Sequence, residues 1–526
     1  MKIFFEKLLF AILVIISTAI LLLGLRGLPG NPTADDLNSL QWTRTGPFES
    51  SNDRGRFALT YSLLEDHSLQ FSRDIATFAT PDLAITKDEK YVSLFAPGTS
   101  FLIIPGYLFG KILGASQVGA FAIVSIFALM NTLLIYAIAK RLGAYPFAAA
   151  LGALTFLFAT PAFTYAVSLS QHHFSVFVLL LNLYLLIRWK NWWSLSLIWF
   201  LCALSIVIDN PNVFFLFPIG IYALGHIVQL KKKEGDLQFS IRPVYILTLS
   251  AIIIPLAFFA WFNQVSNGSS LQLSGTLKRV LSVSQNQTET STDVEKLSVN
   301  IPTGENIESI ESNKEKTSVG FFQTRNLWNG FYVHFISADR GIVWFTPIVL
   351  MGIFGLVFLF RSHESITAVI IASMGANVLL YSMWGDPWGG WAFGSRYLIP
   401  TYALLCVGLA ISLTHWRKNI IFLTIFIALF IYSVRINALG ALGTSTIPPQ
   451  VEVLALEKIT GQIQKYNFER SRDYLYEQGS KSFVYQTIAR KSMTAPQYYA
   501  LVSSLIIATG VILLLALWFV SSKKKV

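Results

Sequence analysis

Charge is what this sequence has least of. Of its 526 residues only 13% are Asp, Glu, Lys or Arg, where a soluble globular chain carries about 25%, and the mean hydropathy is +0.55. A soluble enzyme is excluded, and the chain reads as an all-α polytopic membrane protein. Cysteine is scarce as well. Cys202 and Cys406 both fall inside apolar runs, which removes a disulfide framework and a cysteine metal site. The usual His/Cys and acidic-loop metal spacings are missing, so no cofactor is assigned and a divalent metal is left open. There is no solenoid-type repeat. No small-residue cleavage pattern follows the first apolar run at residues 26–30, so residues 8–25, preceded by Lys2 and Lys7, read as a signal anchor that stays in place. The net charge of +11 does not point to nucleic acid, because the basic residues recur as small clusters between apolar runs.

What is present is a long series of apolar segments. After the first come 118–139, 145–163, 173–188, 192–209, 212–229, 244–265, 342–360, 365–383, 397–414, 419–437 and 498–520, about twelve spans in all, each near the ~20 residues that a bilayer needs. Residues 101–113 are shorter and carry Gly106, Gly110 and Lys111, which suits an interfacial or re-entrant segment. With the N-terminus cytoplasmic, the inner loops hold Lys140 and Arg141, Arg188 and Lys190, Lys231 to Lys233 with Arg242, Arg361, Arg417 and Lys418, and Lys523 to Lys525. Each is basic, as the positive-inside rule requires. Both termini are therefore expected in the cytoplasm of a cell whose cytoplasmic membrane the protein crosses.

The outer side then collects the long polar stretches: 28–117, short turns at 171–173 and 209–212, the loop 266–341, the turn 384–396, and 438–497. Residues 267–318, rich in Ser, Thr, Asn, Glu and Lys, read as a disordered insertion without catalytic role. Residues 441–497 read as an outer helical segment, and 498–526 as a last span with a basic tail. Residues 55–65 predict a short amphipathic helix with Phe57, Tyr61 and Leu64 on one side and Asn52 or Asp53 as its cap.

Several outer residues carry chemistry. Asp53, in Asn52-Asp53-Arg54-Gly55-Arg56, is a carboxylate that neighbouring cations would hold ionised, fit to accept a proton from an attacking hydroxyl; a helix cap or surface ion pair is its bland reading. Asp82 is a further candidate, and the adjacent Asp35 and Asp36 are rivals. His172 and His173 open a span at the outer boundary, where an imidazole hydrogen-bonds a sugar or phosphate oxygen or simply marks the membrane edge. Asp339-Arg340-Gly341 reads first as an edge ion pair. In YSMWGDPWGGWAFGSRYLIP, Trp384, Trp388 and Trp391 offer faces for a sugar ring, Gly389 and Gly390 permit close backbone approach, and Arg396 is a cation suited to phosphate.

The ordered set NDRGRFALTYSLLED, KYVSLFAPGTSFLIIPGYLFG, FATPAFTYAVSLSQHHFS, DRGIVWFTPIVL and WGGWAFGSRYLIP resembles bacterial members of the C-type (GT-C) glycosyltransferase superfamily, relatives of the protein O-mannosyltransferases and the lipid A aminoarabinose transferases. The likeness spans roughly residues 1–440. It implies a catalytic transmembrane module with a long outer first loop. That module would take a sugar from a polyprenyl-phosphate carrier on the outer face, with an acidic residue of the first loop as base and inversion at the anomeric carbon. By position, Asp53 matches that acidic residue, His172 the histidine that opens a span, and Arg396 the arginine of a G-P-R-Y-L motif. The chain departs from the pattern twice. Phe95 stands where relatives carry a lysine, and Ser395 replaces the proline before Arg396, which shifts phosphate neutralisation onto Arg56, Lys90 or Arg396. The expected partners are a polyprenyl-phosphate-linked sugar, an acceptor that is lipid, glycan or protein, and membrane lipids. A lipid-linked glycan polymerase or ligase, and a transporter or flippase without chemistry, are the competing readings.

Overall fold

The computed structural model describes residues 2–188, 191–233, 236–280, 283, 320–461 and 463–522. Lys190, Lys523 to Lys525 and most of the 267–318 insertion lie outside them. Among the described residues, seven helices are long and apolar enough to cross a membrane: Glu6–Gly24, Ser116–Arg141, Pro243–Asn267, Glu364–Ser382, Arg396–His415, Ile420–Leu442 and Ala495–Val520. Shorter apolar helices fill most of the remaining expected spans: Pro146–Phe158, His172–Arg188, Trp192–Ile208, Asn212–Ile227 and Pro347–Ser362. The shortening has local causes. The span expected at 145–163 stops at Phe158 because Pro161 follows, and Thr160 Oγ1 accepts from Ala162 N at 3.2 Å in the turn that leads to the next short helix. Residues 101–113 form two helical pieces, Gly98–Leu102 and Ile104–Ile112, far below the length of a span.

The helix Ile399–His415 is the centre of the bundle and is buried along almost its whole length. Small residues let its neighbours come close. A Cβ on Gly355 would lie 1.7 Å from the Gly408 carbonyl oxygen, so the helices Gly352–Ser362 and Ile399–His415 touch backbone to backbone, as small-residue contacts do where hydrocarbon replaces water. At the periphery the same apolar composition faces outward: Ile253, Ile254 and Leu247 are 64–73% exposed, a surface that lipid covers.

The first loop folds against the bundle. Its main helix, Ser51–Glu65, packs on Arg73–Ala79 through Phe57 and Phe78, and Phe48 joins both to Phe121 of the span Ser116–Arg141 with centroids 4.6–5.4 Å apart. The helix starts four residues earlier than expected, at Ser51 with Ser50 as N-cap, so Asn52 and Asp53 lie inside the first turn and do not cap it. Nor is it one-sided. Phe57 is fully buried while Tyr61 and Leu64 are half-buried, and Asp53, Arg56, Thr60 and Ser62 are buried with the apolar residues, because the helix is covered by the cavity wall on one side and by the bundle on the other.

A three-stranded antiparallel sheet closes the loop: β1 (Leu83–Ile85) lies between β2 (Tyr91–Ser93) and a strand from the long loop, Lys278–Val280. The beginning of the expected disordered insertion is therefore folded, with Arg279 opposite Ala84. The pairing is possible because Lys278-Arg279-Val280 follows a short 3₁₀ turn, Ser274–Thr276, and meets the free edge of β1. The chain after residue 440 returns as helices Gln450–Thr460, Phe468–Gln478 and Phe483–Thr487 and is locked to the first loop by a buried ion cluster. Glu49 receives Arg26 Nη1 at 2.6 Å and Lys481 Nζ at 2.6 Å, and all three side chains are at most 4% exposed.

Candidate functional site

The segments grouped on one side by the basic-loop pattern meet around one cavity of about 2970 Å³. Its wall includes Asn52, Arg56 and Asp82 from the first loop, Gln171, Asp209 and Asn210 from two helix-end turns, Arg279, and Tyr381, Trp384, Trp391, Arg396 and Tyr397.

The helical period sorts the first-loop residues. Asn52 and Arg56 are one turn apart and share the face toward the cavity, where Arg56 Nη1 donates to the Asn52 carbonyl oxygen at 3.0 Å. Asp53, one step round the helix, points toward the packed side and is 4% exposed. Arg54 lines the cavity as well, but its guanidinium is spent on the backbone carbonyls of Phe78 (2.9 Å) and Thr80 (2.6 Å). The expectation that flanking arginines keep Asp53 ionised is therefore corrected. Burial outweighs the nearby Arg56, Arg26 and Arg396 and pushes the Asp53 carboxyl up to about 7. Among the described residues none donates a hydrogen bond to that carboxylate.

Arg56 itself lies over the Phe95 ring, 4.1 Å from its centroid. Phe95 thus supports a cation at the cavity wall. Burial brings Arg56 down to about 10, against the opposing pull of Asp209 and Asp53, so it stays charged at neutral pH. Arg396 stands at the N-terminal end of the central helix. Its Nη2 donates to Gly389 O at 2.7 Å, a carbonyl presented by two successive left-handed glycines, Gly389 (φ +71°) and Gly390 (φ +66°). In the amide orientation that satisfies both ends, Asn52 accepts from Arg396 Nη1 (2.7 Å) and Nη2 (2.9 Å) and donates to Asp82 at 3.2 Å. Asp82 is fixed further by Ser51 Oγ at 2.6 Å and by Arg279 at 2.7 Å. Among the described residues, the buried Nε atoms of Arg56 and Arg396 have no partner.

The remaining candidates divide. Trp384 and Trp391 line the cavity; Trp384 stacks on Phe321 at 5.5 Å, and Trp391 Nε1 donates to Glu452 at 2.8 Å. Trp388 is outside the lining and lends its carbonyl to Arg340. Asp339 and Arg340 do not form the expected edge ion pair. Both are fully buried. Arg340 donates to the carbonyls of Trp388, Gly390 and Ile447 at 2.8–3.0 Å, while Asp339 accepts from Gln450 N at 2.9 Å and from Ser337. They brace the turn that presents Arg396. Ser395 belongs to the same brace, donating to Arg340 O at 3.1 Å. His173 is packed inside, its Nε2 2.8 Å from Ala162 O. His172 sits behind the wall against Tyr165, within electrostatic range of Arg396 and Arg56, and its Nε2 has no partner among the described residues. Lys90 is exposed in the hairpin turn after β1 and does not reach the cavity. Asp35 and Asp36 are exposed as well; Asp36 closes a capping box with Thr33 that holds its carboxyl below the usual range.

Sequence reasoning missed Asn52 as a bridge, Arg279, Asp209, Asn210 and the stacked pair Tyr381 and Tyr397, whose centroids are 4.2 Å apart. Asp209 and Gln171 stood in turns already placed on the outer side, which was the available signal. Arg279 gave none, since its role comes from strand pairing between distant segments. Among the described residues no group of three or more His, Cys, Asp or Glu side chains is placed to share a metal ion.

No protein-family model and no curated protein matches the chain. Among solved structures it is similar to ArnT from Cupriavidus metallidurans in the apo state, with 12% identity over 95% of this chain and 76% of that one at a TM-score of 0.45. The same protein bound to undecaprenyl phosphate gives 13%, 97%, 76% and 0.44. The Archaeoglobus fulgidus oligosaccharyltransferase in complex with zinc and sulfate gives 14%, 89%, 56% and 0.44. Likeness this distant carries neither an activity nor a residue role across.

Proposed function

We propose that this protein is a membrane glycosyltransferase that takes a sugar from a polyprenyl-phosphate carrier and passes it, with inversion, to an acceptor hydroxyl on the outer face of the cytoplasmic membrane. The observation that carries the reading is the pair of guanidiniums, Arg56 and Arg396, set in one cavity wall with their buried Nε–H groups unpartnered among the described residues and with the Asp53 carboxyl, poised near neutrality, behind them. Unpaired buried cationic donors cost free energy unless an anion meets them, and a phosphodiester at a membrane surface is such an anion. A metal-free account needs three things: charge for the leaving phosphate, placement of the acceptor, and removal of one proton. In the reaction the acceptor oxygen attacks the anomeric carbon from the face opposite the phosphate. The anomeric C–O bond breaks, Asp53 takes the hydroxyl proton after a side-chain rotation toward the cavity, and the carrier leaves as a phosphomonoester. The charge that this ester gains develops between Arg56 and Arg396, where fixed donors act most strongly. Trp384 and Trp391 supply apolar faces for sugar rings.

Two tests follow from the geometry. Arg396→Ala is expected to weaken binding of polyprenyl phosphate by about 2 kcal/mol, the magnitude of a hydrogen bond to a charged group. Arg396→Lys should keep part of it, because the charge survives but the planar fork does not. Titration of the purified variants with polyprenyl phosphate measures this, and unchanged affinity in the alanine variant excludes the role. The sidedness is tested by single cysteines in a chain lacking Cys202 and Cys406. Lys90→Cys should react with an impermeant thiol reagent from outside and Lys232→Cys only after the membrane is opened; the reverse pattern contradicts the topology.

A further inference from the structure

Among the cavity-lining carboxylates that the mechanism does not use, Asp209 lies within electrostatic range of both Arg56 and Arg396. Asp209 ends the helix Trp192–Ile208 in extended conformation (φ −160°, ψ 120°), which carries its side chain off the helix and into the wall that also holds Arg56 and Arg396. Gln171, from the turn before His172, donates to one carboxylate oxygen, Oδ2, at 3.1 Å. Among the described residues nothing donates to the other oxygen. Next to it Asn210 lines the same wall and has a buried Oδ1 that finds no partner among the described residues. Tyr381, which also lines the cavity, is within electrostatic range of Asp209; it stacks on Tyr397 at 4.2 Å and meets Trp384 at 5.8 Å.

This corner therefore offers two free oxygen acceptors beside an aromatic wall. A phosphate repels the carboxylate, and a polyprenyl tail has no donor for either oxygen. A sugar ring has both complements, with hydroxyl donors along its edge and an apolar C–H face for the aromatic rings. We infer that Asp209 and Asn210 read the hydroxyl groups of the transferred sugar, with Gln171 as a positioning residue that fixes the Asp209 carboxylate. The ligand class is a neutral, hydroxyl-rich pyranose attached to the phosphate that Arg56 and Arg396 hold. The inference rests on the donor reading above and adds to it which residues select the sugar.

The test titrates the purified full-length chain with bare polyprenyl phosphate and with polyprenyl-phosphate glucose, mannose and galactose. The wild type should bind at least one of the three sugar-bearing carriers more tightly than the bare carrier. Asp209→Asn should weaken binding of that carrier by about tenfold or more. Bare carrier should bind equally well or more tightly, because a negative charge has left the neighbourhood of two guanidiniums. Gln171→Leu, a milder change, should move the same ratio in the same direction by a smaller factor. Equal weakening of both probes in both variants overturns the assignment, as does an unchanged ratio, and absence of any wild-type sugar preference overturns the pyranose class. A wild type that fails to bind bare carrier refutes the donor reading itself, whereas bare-carrier binding with an unchanged ratio in the variants refutes only the sugar-reading corner.

Discussion

Asp53→Asn is expected to slow sugar transfer by about 10²–10⁴-fold, the range in which a positioned general base contributes, with protein level and carrier binding near those of the wild type. The substitution preserves size and removes basicity. The wild-type rate should rise with pH through an inflection near 7, because burial pushes the Asp53 carboxyl up to about 7 and only its ionised form accepts a proton. In Asp53→Asn the inflection should vanish along with most of the rate. Linkage fixes a second sign. The native state holds the Asp53 proton up to about pH 7, and an unfolded aspartate releases it near pH 3.9. Between those values the native chain binds more protons, so this group's contribution to stability falls as pH rises and levels off above 7. Asp82→Asn should cost less in rate: Asp82 is already engaged by Ser51 and Arg279, so its loss disturbs Asn52 and Arg396 but removes no base. Asp35→Asn and Asp36→Asn should change little, since both side chains are exposed outside the cavity. A pH inflection that persists in Asp53→Asn and disappears in Asp82→Asn would move the base to Asp82.

Glu49→Ala is expected to destabilise the fold by about 3–5 kcal/mol, as removal of one partner of a buried ion pair does. Glu49 lies between Arg26 and Lys481 at 2.6 Å from each and also accepts from Thr444 Oγ1 (2.6 Å) and Ser445 N (2.7 Å). Its removal leaves two buried cations facing each other across the joint between the first loop and the segment after residue 440. Lys481 and Arg26 hold the Glu49 carboxyl well below the usual carboxylate range despite its burial. For a depressed carboxyl the stabilisation is present above the unfolded pKa, near 4.3, and is lost as pH falls toward the folded value. Thermal unfolding in detergent should therefore show a much lower Tm for Glu49→Ala at pH 7. The gap to wild type should narrow as the pH is taken below about 4. A Tm unchanged at pH 7 would remove the cluster from the account of stability.

The helical membrane architecture was legible because it rests on composition and on runs of apolar residues near bilayer length, both of which are local in sequence. The exact extents were not. Thr160-Pro161 and Thr346-Pro347 break helices inside runs that hydropathy reads as continuous. Arg396 and the paired glycines before it were legible as a motif, and their geometry is what brings Arg396 to the cavity. Asp53 was legible as a residue but not as a state: flanking arginines in sequence suggest an ionised carboxylate, while the helix turns Arg54 toward backbone carbonyls and stacks Arg56 on Phe95. Asp339 and Arg340 looked like a surface pair because their burial depends on residues 447–450, more than a hundred positions away. The Arg279–Asp82 bridge was hidden for the same reason, since strand pairing across 197 positions leaves no mark on local composition.

The central claim is that this cavity transfers a sugar from a lipid phosphate and does not merely move the lipid. The measurement that tests it most directly follows radiolabelled sugar on polyprenyl phosphate in sealed envelope vesicles containing the wild-type chain or Asp53→Asn. The account predicts that in the wild type the label leaves the carrier for a hydroxyl-linked product of inverted anomeric configuration, at a rate that rises through pH 7. In Asp53→Asn the label should stay on the carrier although the carrier still binds. Label that crosses the bilayer while remaining on its carrier, at equal rates in both proteins, would contradict it.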